Sequence, residues 1–278
     1  QKIVGNDYGI VFNALFHSIS TFNGAGFDIL LDNHGGSVGL ISYDSAILNI
    51  TMVLIVLGSI GYPFILELFA NAKLFIQSKY KDIFFTLNFK VIIFGTTIIM
   101  ILGALQFLFS EWTNLATIGN VSIKEKIIHS IFHSITRTAG FSLLDYNSIH
   151  NSTSITTIAL MFIGGSSLSV AGGIKVGTLS IIAVSLISTI IGKEEVVLFK
   201  RTVNRDIIRR SLIIFIFSII IIIFSFMIIS SFEPDTIFRE LLFECVSAFG
   251  NVGLTTGITG SLNESSKILI SFLMIVGR

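Results

Sequence analysis

Long apolar runs, without the strict alternation of a half-buried strand, dominate this chain. The first extends from Ala46 to Phe69 and the second from Phe84 to Phe109, with Lys90 near its edge. Ser154 to Ile191 is a third, too long for one simple crossing and interrupted by Gly164-Gly-Ser-Ser-Leu-Ser-Val-Ala-Gly-Gly-Ile-Lys175. Ile207 to Ser230 is the fourth, and Ile268 opens another. A hydrocarbon core about 30 Å thick needs roughly 20 helical residues. Only helices and closed barrels satisfy their backbones in lipid, and runs of this length and pattern are helical. The expected fold class is an all-α polytopic membrane protein.

Composition agrees. Of 278 residues, 52% are hydrophobic and 13% charged, against about 25% charged in a soluble domain. A net charge of +1 gives no reason to invoke nucleic acid. The single cysteine, Cys245, excludes an internal disulfide framework and a multi-cysteine metal site. No cleavable signal peptide is visible, the chain starts at Gln1, and it stops at Arg278 inside an apolar run. A fragment cut at both ends is therefore expected. Lys73, Lys79, Lys81 and Lys90 cluster between the first and second runs, and Lys193, Lys200, Arg201, Arg205, Arg209 and Arg210 between the third and fourth. Both loops read as cytoplasmic by the positive-inside rule. Segments 28–45 and 142–153 carry no Lys or Arg and read as external.

Three short stretches resemble one another: Phe16 to Asp28, Phe132 to Ser142 and Phe243 to Thr255. Aligned on Gly26, Gly140 and Gly253, they recur about every 114 residues. Such a period marks an internal repeat, a common construction in transporters. Each stretch reads as a helix of about ten residues, too short to cross a bilayer. Each ends in a turn: Gly24-Ala25-Gly26-Phe27, Thr138-Ala139-Gly140-Phe141 and Asn251-Val252-Gly253-Leu254. A short helix that enters the membrane and returns as extended chain survives only when buried or lining a water-filled cavity. Glycine permits dihedrals that aim successive carbonyls at one axis, and carbonyls can replace a cation's hydration shell. The C-terminal ends of the short helices add partial negative charge. The expected architecture is repeated helix–pore-loop–helix units in a pseudo-fourfold arrangement around one pore.

Plainer readings stand beside these. A single such glycine is as well explained by a turn; three in register favour a filter. His129 and His133, at i and i+4, would suit a metal, but no HExxH glutamate follows, so a packed structural pair behind the filter is preferred. An intramembrane metal-dependent enzyme would need a third ligand. Gly164 to Lys175 fails the GxxxxGK[ST] spacing of a phosphate loop. Arg137 is expected to tie to a neighbouring repeat, for instance through Glu244. Asp28, Asp32 and Asp44 would enrich cations at the outer mouth or simply be solvated.

The stretches Asn23-Gly-Ala-Gly-Phe-Asp28, Arg137-Thr-Ala-Gly-Phe141, Val252-Gly-Leu-Thr-Thr-Gly257, Gly164-Gly-Ser-Ser to Ala171-Gly-Gly-Ile-Lys175, and Gly277-Arg278 resemble the Trk/Ktr/HKT superfamily of potassium transporters. The likeness is strongest to bacterial Ktr-type membrane subunits and covers nearly the whole chain. The resemblance implies four repeats around one pore, of which the second to fourth fit here. Residues 1–70 would hold repeat 2, 71–192 repeat 3 with its broken second span, and 193–278 a truncated repeat 4. It implies a potassium filter from Asn23, Gly24, Ala25, Gly26 and Phe27, from Thr138 to Phe141, and from Asn251 to Leu254. It implies an intramembrane gate from Gly164, Gly165, Ser166, Ser167, Gly172 and Gly173, with Lys175 and Arg278 adding positive charge beneath the filter. Leu168 and Val170 stand where the family pattern is richer in Gly and Thr. The implied cargo is the potassium ion, with sodium the rival, because a serine at a filter glycine accompanies sodium permeation in plant relatives. The implied partners are membrane lipid, a second copy in a homodimer, and a cytoplasmic nucleotide-binding regulatory ring of the KtrA kind, through which any nucleotide would act. The implied location is the bacterial cell membrane.

Overall fold

The computed structural model describes residues 7–27, 29, 45–77, 84–193 and 195–278. Lys79, Lys81, Asp28, Asp32 and Asp44 lie outside the described residues, as does nearly all of the external segment expected at 28–45. Ten helices account for most of the rest: α1 (Asp7–Phe22), α2 (Ser45–Ile60), α3 (Tyr62–Ile76), α4 (Leu87–Glu111), α5 (Ile123–Thr136), α6 (Asn151–Phe162), α7 (Val176–Ile190), α8 (Arg205–Phe232), α9 (Phe238–Gly250) and α10 (Glu264–Gly277). A small hairpin, β1 (Val197–Leu198) and β2 (Arg201–Thr202), joins α7 to α8.

Among the described residues, α4 and α8 are each long and apolar enough to cross a membrane alone. At about 1.5 Å per residue, their 25 and 28 residues exceed the hydrocarbon thickness. Thr86 caps α4 by accepting from the Phe89 N–H, and Asn204 caps α8 by accepting from the Asp206 N–H. The faces of α8 invert the pattern of a soluble protein. Ser211, Ser218 and Ser225 are buried beside Ile222 and Ile229, while Ile213, Ile216, Phe217, Ile220 and Phe224 are exposed. Lipid is as apolar as these outward side chains, so the inner face gains from small residues that pack closely.

The apolar run from Ala46 to Phe69 is not one straight span. It breaks at Gly61, and the axes of α2 and α3 differ by 100°. Gly61 has φ +86 and Pro63 lies in the first turn of α3. Proline cannot donate back to the preceding turn, and glycine takes the left-handed conformation that re-aims the chain. The third run is interrupted as expected: α6 ends at Phe162, α7 starts at Val176, and residues 163–175 form a loop between them.

The three short helices are longer than the ten residues expected, at 16, 14 and 13 residues for α1, α5 and α9. α5 packs on α2 and α4, and α9 packs on α6, α8 and α10. One apolar core gathers Met161, Ile222, Leu241, Phe243 and Leu273 around α9. A second joins Leu48 and Ile55 of α2 to Phe132, Ala139 and Phe141. These two cores hold the ends of α5 and α9 side by side.

Candidate functional site

Each short helix runs into one of the three glycine turns, and the turns lie backbone against backbone. A Cβ built on Gly26 would fall 2.9 Å from the carbonyl oxygen of Ala139, and one on Gly24 3.0 Å from that of Thr138. A Cβ on Gly140 would fall 2.3 Å from the carbonyl oxygen of Val252. On Gly253 the nearest such oxygen, that of Ala25, is 3.9 Å away. Gly26, Gly140 and Gly253 have φ of 72°, 72° and 92°, where an L side chain is strained. All three line one cavity of ≈190 Å³, together with Ser142, Asp145, Leu254 and Thr255.

Three serines, each six residues before its glycine, were not singled out by the motif reading. Ser20 Oγ donates to the Phe27 carbonyl at 2.7 Å, and Ser247 Oγ donates to the Leu254 carbonyl at 2.6 Å. Ser134, in the same register, instead donates to the Met100 carbonyl of α4 at 2.7 Å. The signal available was the spacing itself, Ser-x5-Gly in all three stretches. Exposure differs as well: Thr138, Ala139, Gly140 and Phe141 are all buried, whereas Ala25 and Phe27 are exposed. In the third turn Val252 and Leu254 are buried and Gly253 is exposed.

Arg137 does not reach Glu244. Its guanidinium donates to the carbonyls of Leu160, Ile163 and Gly164. The end of α6 leaves carbonyls without helical partners, and a cation also complements the negative end of the helix. The broken helix therefore supplies the acceptors that a carboxylate was expected to supply. Glu244 is buried and accepts from the Thr256 N–H at 3.0 Å and Thr259 Oγ1 at 2.7 Å, and also from Thr255 Oγ1. It thereby ties α9 to the chain that follows Gly253.

His133 is fully packed, its ring stacked on Phe107 with centroids 4.7 Å apart and its Nδ1 2.9 Å from the Tyr146 hydroxyl. No group of three or more His, Cys, Asp or Glu suited to a metal occurs among the described residues. At the exposed start of α5, Ser122 caps the helix and its N–H donates to Glu125 at 2.9 Å. That bond holds the Glu125 carboxyl below its ordinary value of 4.5.

The 163–175 loop is pinned on two sides. The Ser166 N–H donates to the Ser59 carbonyl at 2.9 Å, the Val170 N–H to Gly58 at 3.3 Å, and Ser166 Oγ to Ile60. Ser167 offers its carbonyl to Ser166 Oγ at 3.0 Å. On the other side the Gly173 N–H donates to the Gly277 carbonyl at 2.9 Å, and Arg278 donates to the Val170 carbonyl. Lys175 donates to the Ala171 carbonyl within the loop. Tight backbone passage requires its glycines: a Cβ on Gly164 would meet the Gly172 carbonyl, one on Gly165 that of Ser59, and one on Gly172 that of Gly250. Leu168 sits at φ +61, a conformation that glycine adopts without the same steric cost. A larger cavity of ≈550 Å³ opens beside the loop, lined by Asn23, Gly24, Asn251, Gly253, Glu244 and Arg278 among others.

The sequence pattern of the TrkH cation transport protein family matches residues 2–278. The chain belongs to that family. It is similar to the Ktr system potassium uptake protein B of Bacillus subtilis, with 35% identity over 269 residues, covering 96% of this chain and 58% of the relative. It is also similar to the potassium/sodium uptake protein NtpJ of Enterococcus hirae, with 33% identity over 97% of this chain and 58% of the relative. The crystal structure of the potassium transporter TrkH from Vibrio parahaemolyticus superposes with a TM-score of 0.73 at 18% identity, covering 96% of this chain and 56% of that one. The chain thus spans little more than half the length of these relatives. The TrkH-family fold is a membrane transporter fold, and the chain is a multi-pass membrane protein.

Proposed function

We propose that this TrkH-family chain contributes three segments of a potassium-conducting filter to a membrane uptake system. The reading rests on one observation above others. Gly26, Gly140 and Gly253 line one cavity of ≈190 Å³, and the turns pack so closely that a Cβ on Gly26 or Gly140 would meet the carbonyl of Ala139 or Val252. Backbone oxygens held by closely packed glycine turns offer a dehydrated cation replacement ligands, and Asp145, which lines the same cavity, adds a carboxyl group beside them. The filter residues are Asn23 to Phe27, Thr138 to Phe141 and Asn251 to Leu254. The glycine at all three positions favours potassium. Sodium is the competing cargo, and the printed name of the Enterococcus hirae relative motivates the comparison.

Residues Gly164 to Gly173, with Lys175 and Arg278, form the gate. Support comes from the loop's place against Asn251 and from the contact of Arg278 with the Val170 carbonyl. A fixed cation near the ion path raises a Coulomb barrier to a second cation. We further propose that the working assembly is a homodimer on a cytoplasmic nucleotide-binding ring; the word "system" in the Bacillus subtilis relative's name supports partner components in general.

Rubidium uptake into proteoliposomes tests the filter. Gly253→Ser is expected to lower rubidium over sodium discrimination at least tenfold. Discrimination unchanged by that substitution would remove the filter assignment. A short linker in place of residues 164–173 is expected to raise flux, and unaltered flux would remove the gate.

A further inference from the structure

An apolar groove of ≈280 Å³ lies between α4 and α7. Phe94 and Ile98 form one wall, Ala183 lies on the other, and Leu198 and Phe199 of the hairpin close one end. Gly95 makes its floor: a Cβ there would fall 2.6 Å from Val176 Cγ1, so the two helices meet closely beneath it. Phe94 and Ile98 are both more than half exposed, so the groove opens outward.

The hairpin that closes it is built against local preference. Its two turn residues, Phe199 and Lys200, have φ of 49° and 65°. Two-residue hairpin turns with positive φ at both positions favour Asn-Gly, and neither residue here has that freedom. Strain of this kind persists where surrounding structure holds it and commonly marks a working position. Here it sets the Phe199 ring 5.3 Å from the Phe94 ring. It also keeps Lys200 and Arg201, both exposed, next in sequence to the residues that close the groove.

Charge gathers at this same end. The Arg201 guanidinium lies 5.6 Å from the Phe84 ring centroid, and Lys90 precedes Val91, which lines the groove. Residues 193–210 hold six basic and three acidic side chains. Among the described residues, none of Lys90, Lys200 and Arg201 forms an ion pair. An apolar slot along a spanning helix, with unpaired cations at one end, matches an amphiphile with an anionic head. A second copy of the chain docked about a twofold axis at this groove would set those cations against one another.

We propose that this groove binds an anionic phospholipid, with one acyl chain along α4 and α7 and the headgroup phosphate at Lys90, Lys200 and Arg201. Basic residues at the surface of an anionic leaflet each favour such lipids. The proposal is independent of the filter reading.

Native mass spectrometry of the detergent-purified protein tests it, with phosphatidylglycerol or phosphatidylcholine of identical chains added in turn. Phosphatidylglycerol is expected to bind about tenfold more tightly. The double variant K200Q/R201Q should reduce it to the phosphatidylcholine level. Ala183→Trp, which fills the slot, should weaken both lipids, and glycerol phosphate alone should leave no bound species. Thermal melting checks that each variant is folded. Equal affinity for the two lipids, insensitivity to either variant, or glycerol phosphate binding as tightly as the lipid would overturn the proposal. So would an equal loss in the control K193Q/R209Q, or a lipid-insensitive dimer that Ala183→Trp separates.

Discussion

The middle turn and its two companions hold a left-handed glycine by different local means. In the first and third, a residue two before the glycine takes the left-handed conformation: Gly24 at φ +61 and Asn251 at φ +49. A serine then braces the carbonyl just past the glycine, and the N–H just before the glycine donates back to that serine's carbonyl, Ala25 to Ser20 and Val252 to Ser247, both at 2.9 Å. In the middle turn Thr138 is not left-handed, Ser134 is drawn away to Met100, and the Ala139 and Gly140 N–H groups both donate to Thr136. Its hold comes from burial on both sides and from Arg137 on the end of α6. The outer turns are braced from within, and the middle turn is braced by its neighbours.

That difference ranks the expected effects. Gly140→Ala should be the most damaging, because its Cβ would fall 2.3 Å from a backbone oxygen that cannot step aside. Overpacking and left-handed strain together put the cost above about 4 kcal/mol, with rubidium uptake abolished. Gly26→Ala should be intermediate and Gly253→Ala mildest, since the latter meets nothing closer than 3.8 Å. Equal losses at the three positions would break the comparison. Arg137→Met should come next, at about 3 kcal/mol, because it strands buried carbonyls; thermal unfolding in detergent reads this. Ser20→Ala and Ser247→Ala should each cost about 1 kcal/mol and reduce discrimination of rubidium from sodium. Ser134→Ala should cost a similar amount and leave discrimination intact.

The smallest effect concerns acid. Glu125 caps α5 together with Ser122, whereas Ile237, the N-cap of α9, provides no side-chain cap. The Glu125 pKa is depressed in the folded state, so its contribution is present above the unfolded value of 4.5 and fades as pH falls through the lower folded value. Glu125→Gln should flatten the decline of melting temperature in that acid range and change little at pH 7.

The spanning helices and the turn motif were legible because both leave periodic marks: Phe84 to Phe109 and Ile207 to Ser230 overlap α4 and α8 closely. The bend at Gly61 was not, because Gly61-Tyr62-Pro63 lies inside an apolar run and three residues do not change its average. The 163–175 break was visible because glycine and serine are dense there. The partner of Arg137 was missed for a different reason. A charge suggests an opposite charge, while the carbonyls at a helix end carry no sequence signature. The serines needed alignment on the glycines rather than on Phe16, Phe132 and Phe243, because the middle stretch starts two residues closer to its glycine than the other two.

The bend at Gly61 carries a consequence for motion. It frees the carbonyls of Gly58, Ser59 and Ile60, and the 163–175 segment takes them up with two backbone N–H groups and a hydroxyl. Two interrupted helices thus complete each other's bonding. Any displacement of that segment strands donors and acceptors together in an apolar setting, where each unmet group costs about 1–3 kcal/mol. The displaced state is tolerable only when solvent enters to replace the lost bonds. In the proposed gating role, opening is then a hydration event whose equilibrium should respond to water activity: high concentrations of an excluded osmolyte should hold the segment in place and slow flux.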